Sequence, residues 1–80
     1  MTIKEAVRQR ILHYCTQRAL TINGLSTLCG ITQSTLQNVV SGRNHSVTLS
    51  TIKKICDGLD ITIVDFFCCE LFETLEQELK

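Results

Sequence analysis

Apolar residues recur every three or four positions along this chain, no proline interrupts them, and no alternating stretch is long enough for a strand. That combination restricts the fold to packed α-helices. Ile3, Val7, Ile11, Tyr14 and Cys15 make one stripe with Lys4, Arg8 and Arg18 off it, which predicts a first amphipathic helix over residues 3–18. Thr21 is placed to cap a short second helix carrying Ile22, Leu25, Leu28 and Cys29, and Gly30 to stop it. Thr32 opens a third helix, apolar at Leu36, Val39 and Val40, that Gly42 ends. Beyond the loop from Arg43 to Val47, Thr48 caps a fourth helix with Leu49, Ile52, Ile55, Cys56 and Leu59. Thr62 and Asp65 resemble a capping box and open a fifth, holding Ile63, Val64, Phe66 and Phe67. Leu71, Phe72, Leu75 and Leu79 carry helical spacing to the C-terminus. The expectation is an all-α, five-helix domain over residues 1–69 with an acidic, helical C-terminal extension over 70–80.

A chain of 80 residues forms one domain. At that size only a little over about 60% of the unfolded surface is buried, so pairing with a second copy is energetically reasonable. No window approaches the roughly 18 consecutive apolar residues of a membrane span. The opening Met1-Thr2-Ile3-Lys4-Glu5 lacks the apolar stretch of a signal peptide, so a cytoplasmic location is expected. The five cysteines, Cys15, Cys29, Cys56, Cys68 and Cys69, include no Cys-x-x-Cys pair, and their odd count argues against a disulfide framework. The first three fall where a small apolar residue packs in a helix, and reduced structural thiols are expected. Cys68 and Cys69 leave a redox role open.

The net charge is zero, yet it is divided along the chain. Residues 1–54 hold Lys4, Arg8, Arg10, Arg18, Arg43, Lys53 and Lys54 against Glu5 alone, a net +6. Residues 55–80 hold Lys80 against Asp57, Asp60, Asp65, Glu70, Glu73, Glu76 and Glu78, a net −6. The basic part can face phosphates. The acidic part reads equally as a solvated helix surface.

The stretch from Ile22 to Gly42 is the most informative. Two short helices joined by a tight glycine-containing turn need a small residue where they approach, a residue tolerant of positive φ in the turn, then an apolar plug. Ser26, Gly30 and Ile31 meet these needs in order, and Leu36 and Val39 supply the inner face of the second helix. Its outer face is polar, with Gln33, Ser34, Thr35, Gln37 and Asn38.

The run Leu25-Ser26-x-x-Cys29-Gly30-Ile31-Thr32-x-Ser34-Thr35-Leu36, closed by Ser41-Gly42, continues with Thr51-Ile52-x-x-Ile55-Cys56-x-x-Leu59-x-Ile61 and Phe66-Phe67. It resembles the lambda-repressor/Cro-type helix-turn-helix regulators, the Xre family, over residues 5–68. The resemblance implies a five-helix domain whose third helix, Thr32 to Ser41, enters the major groove of double-stranded DNA, commonly as a dimeric transcriptional repressor. Carried over position by position, Gln33, Ser34 and Asn38 match the base-reading positions. Gln and Asn each donate and accept together, as a bidentate pair with adenine requires. Thr35 offers a hydroxyl and a methyl, and Gln37 lies beside them. The start of the second helix at Thr21 and Ile22 offers backbone N–H groups to a phosphate, and Arg43 with Asn44 matches the backbone clamp. Ile22 stands where the family often has a phosphate-touching Gln, and the recognition helix has no Arg or Lys. Affinity then rests on few phosphate contacts and on a partner subunit that doubles them.

No pairing of nucleophile and base, carboxylate dyad, metal triad or glycine-rich phosphate loop supports catalysis, so no enzyme activity, cofactor or small-molecule effector is expected. Cys15 and His13 face different ways on a helix. Tyr14, Phe66 and Phe67 lie on apolar stripes and read as core. Two alternatives remain open: a protein-interaction module on the same fold, such as an antitoxin or assembly partner, and control through Cys68 and Cys69. The C-terminal stripe either packs on the first helix or forms a homodimer seam.

Overall fold

The computed structural model describes residues 1–41 and 47–79. Five helices follow one another: α1 (Ile3–Gln17), α2 (Ile22–Cys29), α3 (Gln33–Ser41), α4 (Leu49–Leu59) and α5 (Ile63–Phe67), then a 3-10 turn at Glu70–Phe72. Among the described residues there is no strand. The all-α, five-helix expectation holds.

Every helix opens on a threonine. The hydroxyl oxygens of Thr2, Thr21, Thr32, Thr48 and Thr62 accept from the backbone N–H three residues on, at 3.2, 2.9, 3.2, 3.1 and 3.0 Å. At Thr2 and Thr62 the carboxylates of Glu5 and Asp65 return the bond, completing capping boxes. The cap at Thr2, which the apolar spacing does not name, fixes the start expected at residue 3. An apolar residue precedes each threonine, and a buried one follows four positions after it: Ala6, Leu25, Leu36, Ile52 and Phe66. Leu20, Ile31, Val47 and Ile61 pack against the core from the preceding position. This hydrophobic staple fixes the angle at which the chain enters each helix.

Three helix ends, those of α1, α2 and α4, also share one form. Ala19, Gly30 and Asp60 take left-handed φ values of 53°, 69° and 58°. The next residue's N–H reaches back to a carbonyl in the last turn: Leu20 to Cys15 (2.8 Å), Ile31 to Ser26 (3.2 Å) and Ile61 to Cys56 (2.9 Å). Three consecutive residues thus end one helix, plug the core and start the next, at Ala19-Leu20-Thr21, Gly30-Ile31-Thr32 and Asp60-Ile61-Thr62.

Ile11, Leu25, Leu36, Ile55, Cys56, Leu59 and Phe66 are completely enclosed. The C-terminal end of α2 lies so close on α4 that a Cβ on Gly58 would sit 2.6 Å from Cys29 Sγ and 3.0 Å from Cys29 Cα. Four residues assigned to the apolar stripes of the five helices are instead exposed: Ile3 (40%), Leu28 (54%), Leu49 (72%) and Val64 (75%). Leu28 and Val64 point away from the arcs their short helices bury, about 100° turning between successive residues. Ile3 and Leu49 share a shallow apolar cavity of about 180 Å³ with Val7, Ile52 and Phe67.

The expected helical extension is reduced to the single turn at Glu70–Phe72, and residues 75–79 have no regular structure. The N–H groups of Cys68 and Cys69 bond to Asp65 and Phe67 carbonyls at 3.3 and 2.9 Å, and Cys69 is extended. The chain therefore doubles back and sets Phe72 on Phe67, ring centres 4.9 Å apart. A continued helix would carry Phe72 about 7.5 Å further along its axis and forfeit that contact. The rest of the stripe does not act as a unit: Glu76 N–H donates to the Met1 carbonyl at 3.0 Å beside the start of α1, while Leu79 is 88% exposed.

Candidate nucleic-acid interface

The helix pair α2–α3 is held from within. Ser26, 4% exposed, fits between helices because its hydroxyl satisfies itself on the Asn23 carbonyl at 2.7 Å. Gly30 turns the chain in the left-handed region, and Leu36, Val39 and Val40 seat α3 on the core. What remains outward on α3 is polar. Gln33, Ser34, Thr35 and Gln37 are exposed and Asn38 is half-buried. Positions 33, 34, 37 and 38 fall on one face of the helix.

Not all of these side chains are equally available. The Thr35 hydroxyl accepts from Thr32 at 2.7 Å, so it keeps its own hydrogen to donate and exposes its methyl. The Thr21 hydroxyl is engaged by Gly24 N–H, and Ile22 packs partly against the core. Ile22 can offer a phosphate only its backbone N–H, whereas Thr21, whose hydroxyl accepts from Gly24, keeps its O–H to donate. Asn23, which carries no signal in the sequence pattern, adds an exposed amide at the second residue of α2. Gly42, Arg43 and Asn44 lie outside the described residues.

Part of the positive charge is also used within the fold. Arg8 Nε donates to the Val40 carbonyl at 2.5 Å, at the end of α3. Arg10 donates to the Phe66 and Asp65 carbonyls of α5, both at 2.8 Å, with its guanidinium 4.7 Å from the Tyr14 ring centre. Arg18 donates to the Leu59 carbonyl at 2.5 Å, at the end of α4. Lys53 pairs with Asp57 one turn away. Three of the seven basic residues of positions 1–54 are thus directed at helix C-termini, where carbonyls lack intrahelical partners and the dipole is negative.

Burial accounts for three of the thiols. It pushes Cys29 up to about 11, with Cys15 and Cys56 nearby adding to the effect, and it raises Cys15 and Cys56 as well. Among the described residues no group of three or more His, Cys, Asp or Glu is gathered as a metal site, and no helix is long and apolar enough to cross a membrane.

The Cro/C1-type helix-turn-helix DNA-binding domain model matches residues 10–70. The chain is also similar to the crystal structure of the prophage Lp1 protein 11, at 36% identity and a TM-score of 0.81, covering 94% of this chain and 99% of that one. No curated protein matches. The match spans α2, α3 and the Gly30 turn together with the helices that support them, and the chain belongs to the Cro/C1-type helix-turn-helix DNA-binding family.

Proposed function

We propose that this protein is a sequence-specific transcriptional regulator, acting as a repressor, that inserts α3 into the major groove of operator DNA. The observation that carries this reading is the exposed, uncharged polar face of α3 on a helix anchored by Leu36 behind the Gly30 turn. Gln33, Ser34 and Asn38 read base edges, with Thr35 and Gln37 beside them. The amides at Thr21 and Ile22 hold a phosphate, as do Arg43 and Asn44 beyond α3. With α3 uncharged and Arg8, Arg10 and Arg18 each committing a donor to a helix end, two subunits share the phosphate contacts, and a homodimer binds two half-sites about 34 Å apart.

Selection from random duplexes, followed by affinity measurements at several salt concentrations, tests this. An enriched palindromic site is expected, with affinity falling as salt rises by a log–log slope of about −0.9 per phosphate neutralised. Gln33→Ala should cost about 1–3 kcal/mol on that site and nearly nothing on unrelated duplex. Failure to enrich any duplex would sink the regulator reading. It would favour a protein-interaction module on the same fold.

A further inference from the structure

We propose that Arg8 is a positioning residue for the DNA-reading helix, holding the far end of α3 in place from α1 and taking no part in phosphate contact. This deepens the regulator reading and rests on it for its DNA-binding consequence. Like α4 and α5, α3 has no basic residue in its last turn; the Ser41 hydroxyl donates to the Asn38 carbonyl at 3.4 Å, but no positive charge on the helix itself complements its negative dipole end. Arg8 supplies that complement from 32 residues away, donating Nε–H to the Val40 carbonyl at 2.5 Å. Val40 is buried, and Val39 and Leu36 fix the same side of α3 on the core. The guanidinium therefore adds a directional tie to a contact that apolar packing alone leaves free to slide. Arg10 and Arg18 make the same kind of bond to α5 and α4, so the three arginines of α1 and its C-cap each seat a different helix end. Arg8 is the one whose target carries Gln33, Ser34 and Asn38. Since these side chains must meet base edges within a few tenths of an ångström, a pivot at the far end of α3 is felt at its reading face.

The experiment compares the wild-type chain with Arg8→Met, which keeps the apolar stem, and Arg8→Lys, which keeps a cationic donor. In DNA-free protein, hydrogen exchange should show Arg8→Met losing protection selectively in the last turn of α3, with α1 and α4 amides unchanged and Arg8→Lys largely restored. Equal loss in all helices overturns the proposal in favour of a merely global stabiliser, and no loss anywhere overturns it outright. These outcomes stand whether or not an operator exists, so they are separable from failure of the regulator reading. On the selected site, Arg8→Met should lower specific affinity by about tenfold, the effect of one charge-assisted hydrogen bond. Non-specific affinity and the salt slope should not move. A slope shallower by about 0.9, with specific and non-specific binding falling together, would make Arg8 a phosphate contact and overturn the assignment.

Discussion

Ala19 and Gly58 occupy positions with opposite demands, and each departs from the residue that local propensity would choose. Ala19 sits in the left-handed region at φ 53°, where an L-residue with a Cβ is disfavoured by roughly 1–2 kcal/mol. Ala19→Gly relieves that penalty but returns roughly 0.4–1 kcal/mol of chain entropy to the unfolded state. Relief of the steric penalty outweighs the entropy, and chemical denaturation should show a gain of about 0.5–1 kcal/mol. Gly58 lies inside α4, where alanine would be favoured by about 1 kcal/mol on propensity alone. Here the added Cβ would meet Cys29 Sγ at 2.6 Å and its backbone at 3.0 Å. Overpacking costs about 1–3 kcal/mol, so Gly58→Ala should be net destabilising by about 1–2 kcal/mol in the same measurement. Gly30 was legible as a turn residue because its requirement is local. The need for glycine at position 58 arises only when α2 is laid across α4.

At the scale of elements, one junction design recurs. A threonine cap, an apolar residue before it and a buried residue four after it begin each helix, and all three lie within five or six consecutive positions. That is why helix starts at Thr21, Thr32, Thr48 and Thr62 were readable from the sequence. Replacing Thr48 by Ala removes the bond to Thr51 N–H without touching the core. It should cost about 1 kcal/mol, seen as a lower unfolding midpoint, while leaving helix content below the transition unchanged. Helix ends at the C-terminal side of the chain were less legible. The stripe Leu71, Phe72, Leu75, Leu79 has helical spacing, yet the chain turns at Cys68 and Cys69 and sets Phe72 edge-on to Phe67, a contact that helical spacing does not register. Leu28, Leu49 and Val64 were misplaced for a related reason. Spacing defines a face, but how wide a face is covered depends on which helices lie over it.

For the whole molecule, charge and thiols are sorted by the fold. The formal charges cancel, and Arg8, Arg10 and Arg18 tie α1 to the ends of α3, α5 and α4, drawing the domain into dimensions of 37 × 24 × 20 Å. Cys15, Cys29 and Cys56 come from three helices to one core, whereas Cys68 is exposed and Cys69 half-buried. A thiol reagent at neutral pH should therefore modify Cys68 and Cys69 quickly and the other three only after denaturant is added. The Cys29 thiol is held up to about 11 against an ordinary 9.0, so the folded state favours the protonated form. Its contribution to stability is complete below pH 9 and is lost as pH rises through 11. Urea midpoints should accordingly be flat with respect to Cys29 from pH 7 to 9 and decline above it.

Local signals along the chain established that it is helical, where its five helices begin, and which face of Gln33–Ser41 is polar. Capping, glycine turns and apolar periodicity act over four residues or fewer, so they survive without any knowledge of neighbours. Only the tertiary structure decided where the guanidinium groups go, since Arg8, Arg10 and Arg18 reach carbonyls 32, 56 and 41 positions away. A charge count along the chain registers such residues as free attraction. The fold directs them to helix ends, where carbonyls lack intrahelical partners and the dipole is negative, while Arg8 and Arg18 stay in contact with water.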